Sequence, residues 1–234
     1  TIVTDKADVG RAVEGVLRGA FGYGGQKCSA CSRVYVHEKV KDEFVKNLVR
    51  KTSELKVGDP FQRDTFLGPL INENAFNNYQ AYVNDAKKSG VKIAYGGKVV
   101  QQELHGRPRG YFVEPTILVD VPRDHRLVKT ELFVPLLTVE SFKSFEDAIK
   151  MVNDVDYGLT SGIFSEDEDE IKQFFANTKA GVLYANRTSG STTGAMVGVQ
   201  TFVGWKKSGS TGKGTGGRYY LQQFLREQSQ SVYD

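Results

Sequence analysis

Cysteine and histidine are scarce in this chain. Its 234 residues include two cysteines, three histidines and one tryptophan. Two cysteines cannot build a disulfide framework, so a reducing compartment is expected. His37, His105 and His125 form no close ligand pair, which argues against a zinc site. Charge of one sign is also lacking: 31 Lys and Arg against 28 Asp and Glu leave +3. That balance gives no reason to expect a nucleic-acid or membrane partner. No apolar run approaches the roughly 18 residues of a membrane span. The opening, Thr1-Ile2-Val3-Thr4-Asp5-Lys6, has the pattern of neither a signal nor a transit peptide. It has no initiator Met and enters at once on a strand-like run, as a piece of a longer chain would.

What is present is ample for a core: 39% hydrophobic and 11% aromatic residues over this length. Strand and helix patterns alternate. Ile2-Val3-Thr4 is a short β run, and residues 7–21 carry Val9, Ala12, Val13, Val16, Leu17 and Ala20 at helical spacing. Gly22, Gly24 and Gly25 then break the helix. Val34-Tyr35-Val36 reads as a strand, and Val40, Phe44, Leu48 and Leu55 as a second helix. Residues 56–70 read as a loop. Helices are expected over 72–89, 144–155 and 166–178. Strands are expected over 91–95, 162–165 and 182–185, with extended runs over 112–121 and 132–142. This alternation predicts an α/β domain around a mostly parallel sheet. From Thr188 the composition turns to Gly, Ser and Thr, as a functional or flexible loop would.

The segment Gly22-Tyr23-Gly24-Gly25-Gln26-Lys27-Cys28-Ser29-Ala30-Cys31 carries the chemistry. Glycines let the backbone turn sharply beside Cys28. Lys27 favours a thiolate, the reactive form. The competing reading is a plain buried cysteine. Cys28-Ser29-Ala30-Cys31 is a C-x-x-C, but it follows a helix and a glycine run, not a strand. A papain-like protease needs a His about 130–150 residues downstream, and none stands there. Gly22 to Lys27 fails G-x-G-x-x-G at its last position. Gly209 to Gly214 fails the P-loop twice, at Lys207 and Gly214. A flexible loop is expected there, with Lys206-Lys207 a solvated pair.

Five blocks in register resemble the aldehyde dehydrogenase superfamily, over nearly the whole chain. They are Gly25 to Ala30; Val57-Gly58-Asp59-Pro60 with Gly68-Pro69-Leu70-Ile71; Gly110 to Thr116; Glu131-Leu132-Phe133-Val134-Pro135; and Tyr157-Gly158-Leu159-Thr160 through Ser165. Lys27-Cys28-Ser29-Ala30 with Thr193 to Gln200 resembles its Δ1-pyrroline-5-carboxylate dehydrogenase branch.

The resemblance implies NAD-dependent oxidation of L-glutamate γ-semialdehyde to glutamate, in proline degradation, through a cysteine thiohemiacetal and thioester. Another aldehyde, or a catalytic domain without turnover of its own, is the alternative. Its fold implies a three-layer catalytic domain over 1–217 and an oligomerisation strand over 218–234. A separate cofactor domain, a general-base Glu and an oxyanion Asn would stand before Thr1. By resemblance Cys28 is the nucleophile, and Glu131 and Phe133 hold the nicotinamide ribose. Ser29, Gly194 and Ala195 grip the amino and carboxylate end of the substrate, and Phe202 walls the aldehyde site. NAD is the expected cofactor, with NADP left open, no metal, a homo-oligomer and a cytoplasmic setting. The family pattern has Gly where Val134 and Val203 stand, and a valine at positive φ would be strained.

Overall fold

The computed structural model describes residues 1–101, 110–188 and 199–234. Strand β1 (Ile2–Val3) leads into α1 (Val9–Phe21), whose first turn is capped by the Asp8 carboxylate accepting from Arg11 N–H. Ala12, Val13, Val16, Leu17 and Ala20 form the buried stripe that the helical spacing predicts. A 3-10 turn (Gly22–Gly25) ends the helix. Then come β2 (Arg33–His37), α2 (Glu38–Ser53), α3 (Glu73–Lys88) and β3 (Lys92–Tyr95). Next are β4 (Thr116–Val119), α4 (Arg126–Lys129), β5 (Leu136–Phe142) and α5 (Phe145–Asn153). The chain continues through β6 (Tyr157–Gly158), β7 (Thr160–Phe164), α6 (Glu168–Asn177), β8 (Val182–Ala185) and β9 (Trp205–Lys206). A 3-10 turn (Tyr220–Phe224) precedes the tail.

Seven strands form one sheet in the order β3-β4-β5-β2-β1-β7-β8, with every pairing parallel except β3–β4. Central parallel strands are covered on both faces. Ile2 and Val3 accordingly point to opposite faces and are both fully buried. On one face Val3, Val34, Val36, Leu137, Val139 and Phe164 pack against α1 and α2. On the other, Ile2, Tyr35 and Ile163 meet α5 and α6, while Leu118 and Leu136 meet α3 and α4. The result is the expected three-layer α/β architecture. Among the described residues, no helix is long and apolar enough to cross a membrane.

Several boundaries differ from expectation for local reasons. The run over 132–142 becomes a strand only at Leu136. Phe133 adopts φ 57°, and Pro135 has no N–H to give a ladder. The run over 112–121 narrows to β4, with Val113 making only an isolated bridge to Val99. The two-residue ribbon β6–β9 is too short to show a period. Within this chain the tail forms no strand: a 3-10 turn is followed by irregular backbone.

Candidate active site

The glycine-rich break after α1 unwinds through consecutive left-handed residues, Tyr23 (φ 60°), Gly24 (φ 66°) and Gly25 (φ 68°). Gly25 is required by more than its φ. A Cβ there would meet the Val134 carbonyl oxygen at 2.5 Å and that of Ala20 at 3.1 Å. The cysteine loop and the Glu131–Val134 loop therefore touch backbone to backbone. Three hydrogen bonds brace the cysteine loop. Ala30 N–H donates to Lys27 O (3.0 Å), Cys31 N–H to Gly19 O (3.0 Å), and Ile71 N–H to the Gln26 side-chain oxygen (2.9 Å).

At the apex of this turn Cys28 is exposed, while Cys31 is buried. The Cys31 sulfur lies 3.4 Å from both the Thr1 hydroxyl and Arg33 O. Among the described residues none accepts a hydrogen bond from the Cys28 backbone N–H. Burial pushes the Lys27 ammonium below its ordinary range, and the adjacent Cys28 pulls the other way. A desolvated ammonium beside a thiol is stabilised when the thiol ionises.

Cys28, Lys27, Glu131 and Phe133 line one cavity of about 270 Å³. It lies at the amino ends of the parallel strands, where the loops entering β2, β5, β7 and β8 converge. Glu131 and Phe133 flank the buried Leu132, so both side chains are exposed and stand on the cavity wall. Ser29 is buried and is not one of the lining residues. Phe202 is half-buried, tied to Thr215 O by its N–H (3.0 Å), and is also not part of the lining. Gly194 and Ala195 lie outside the described residues.

Neither valine replacement is strained by φ: the positive φ falls on Phe133, and Val134 and Val203 are both free of it. Val134 is buried in the core beside Leu132 and Leu136. Val203 packs over Gly181, where a Cβ would meet the Val203 carbonyl oxygen at 1.9 Å. The Lys206-Lys207 pair is not jointly solvated. Lys206 Nζ donates to Asn153 O (2.8 Å) and Val155 O (2.9 Å), whereas Lys207 pairs with Asp156 at the cavity edge. Tyr35 and Lys179 also line the cavity without any motif to mark them, and Tyr157 does so from the last of the five resemblance blocks. Only strand alternation could have placed Tyr35 on the face opposite Val34 and Val36.

The aldehyde dehydrogenase family model matches residues 1–230, and the chain belongs to that family. It is 39% identical over 232 residues to the 1-pyrroline-5-carboxylate dehydrogenase of Bacillus mycoides (strain KBAB4), covering 99% of this chain and 43% of that protein. The Bacillus licheniformis protein of the same name is 38% identical over 222 residues, covering 94% and 41%. The chain thus spans less than half the length of the relatives it matches. Among solved structures, a Thermus 1-pyrroline-5-carboxylate dehydrogenase with bound NAD superposes with TM-score 0.86 at 35% identity, covering 96% of this chain and 41% of that one. Lactaldehyde dehydrogenase from Escherichia coli gives 0.85 at 34% identity, covering 97% and 45%.

Proposed function

We propose that this chain is the cysteine-bearing catalytic part of an NAD-dependent dehydrogenase that oxidises L-glutamate γ-semialdehyde to glutamate, as in proline degradation. One observation carries the reading: an exposed Cys28 on a glycine-braced turn shares a cavity with Glu131 and Phe133. The relatives' names support the substrate.

The residues present suit the nicotinamide end of NAD. An exposed carboxylate can accept from ribose hydroxyls, and an exposed ring beside it can bear on the sugar or base. A nicotinamide held there supplies a hydride acceptor. The chain's own residues do the rest of what can be derived. The Cys28 thiolate attacks the aldehyde carbon and becomes covalently bonded to it. The free Cys28 N–H donates to the oxygen as it gains charge. Ser29, Gly194 and Ala195 are assigned to the amino and carboxylate end of the substrate, and Phe202 to the aldehyde wall, on resemblance. Residues 1–217 form the catalytic unit and 218–234 an arm that joins a second copy. A reducing, cytoplasmic setting suits the free thiol.

The test is a chimera in which residues 1–234 replace the matching stretch of the Bacillus mycoides relative. NADH formation from L-glutamate γ-semialdehyde is expected, and Cys28→Ala should abolish it. A folded chimera that oxidises lactaldehyde but not the semialdehyde would overturn the substrate. Turnover that survives Cys28→Ala would overturn the nucleophile.

A further inference from the structure

Behind Tyr35 lies a second, small and half-open space of about 10 Å³, lined by Tyr35, Arg123, Lys129, Glu140 and Asp154 among others. That is about the volume that the centre of one water molecule needs. Glu140 on β5 stands in register with Tyr35 on β2, on the sheet face away from α1 and α2. Its residue is 5% exposed, and neither carboxylate oxygen has a hydrogen-bond partner among the described residues. A buried carboxylate left without a partner is strongly disfavoured in its ionised form.

The groups around it relieve this only in part. From β2, Arg33 donates instead to Val128 O (2.9 Å). At the end of α4, Lys129 is held by the Asp154 carboxylate (2.6 Å) and carbonyl (2.7 Å). In the loop after β4, Asp120 pairs with Lys41, and Arg123 faces the cavity. Thr138, two residues back on the same strand face, places a buried hydroxyl near the carboxylate, short of a well-formed hydrogen bond. Val128 and Met151 supply the apolar part of the lining.

We propose that this cavity is a single-water site, and that Glu140 with its water forms an internal proton-binding centre, neutral in acid and ionised in alkali. The neutral carboxyl donates its O–H to the water; the ionised one accepts from it. The proton comes from bulk solvent and returns there. Burial pushes the Glu140 carboxyl up to about 7, with Asp120 adding to the rise and Thr138, Arg33 and Arg123 opposing it. The folded value is therefore raised above the unfolded one of 4.5. Between those values the native state holds the extra proton, so stability is full below the lower value and is lost as pH rises through the upper.

Thermal midpoints of the chain and of Glu140→Gln, measured from about pH 5 to about pH 9, test the centre. The curves should lie close together in acid, and the amide variant should gain several degrees over the parent in alkali. Curves that stay parallel throughout would overturn the proposal. If Glu140→Gln does not fold, the parent alone decides by infrared spectroscopy. A protonated-carboxyl carbonyl band should fade as pH rises through neutrality, and its absence in acid refutes the centre. A high-resolution crystal structure should show one ordered water on Glu140; a dry cavity, or Arg123 paired directly to Glu140, refutes the water.

Discussion

Cys28 and Cys31 are three positions apart, yet the fold gives them opposite fates. One is exposed at the apex of a turn; the other is buried, with its sulfur near Thr1 and Arg33. Accessibility and the neighbouring Lys27 both favour reaction at Cys28. Iodoacetamide should therefore modify Cys28 well before Cys31 in the folded chain, read by peptide mapping at short times. Labelling of Cys31 first would contradict the placement of the two thiols. Gly25 belongs to the same scale: its closeness to Val134 O couples the thiol's loop to the loop of Glu131 and Phe133.

At the scale of elements, the end of α5 shows how one side chain ties separate pieces together. Lys206, itself at φ 52°, reaches from β9 to the carbonyls of Asn153 and Val155. The last carbonyls of a helix lack intrahelical partners, and a cation there also suits the helix dipole. Lys206→Met keeps most of the stem but removes both charged hydrogen bonds. It should cost about 1–3 kcal/mol in denaturant unfolding. Lys207→Met removes only an exposed pair with Asp156, and should cost less than about 1 kcal/mol. Equal losses for the two variants would contradict the capping role of Lys206.

For the whole molecule, the apolar surface is uneven. Leu221, Phe224, Leu225, Val232 and Tyr233 are each between 67% and 95% exposed. Of the residues that could instead dock on their own domain, Tyr220 is partly buried, whereas Phe224 and Leu225 stay exposed. An irregular segment with exposed backbone and alternating side chains is suited to strand addition against another copy. Deleting residues 227–234 should leave the domain folded and lower the subunit number seen in sedimentation velocity. Identical subunit numbers for truncated and full chains would remove the tail from assembly.

Much of this molecule is written locally. The stripe from Ala12 to Ala20, the glycine break after Phe21 and the short apolar strands are periods and punctuation within a few residues, so the α/β layering was legible. The thiol loop was legible for the same reason; Glu131 and Phe133 were assigned by family resemblance, and of the two only the Glu131 carboxylate stands out in an apolar stretch. What the chain order could not show depends on residues distant in sequence. Val134 reads as a strained replacement until its neighbour Phe133 is seen to carry the positive φ. Glu140 reads as one more strand residue until Tyr35, Arg123 and Asp154 enclose it. Tyr35, Lys179 and Lys207 join the Cys28 cavity only because parallel strands bring their entering loops to one edge. Local pattern reports the cost of a backbone conformation. Burial and charge depend on which distant groups the tertiary fold places alongside, and that is settled only when the layers close.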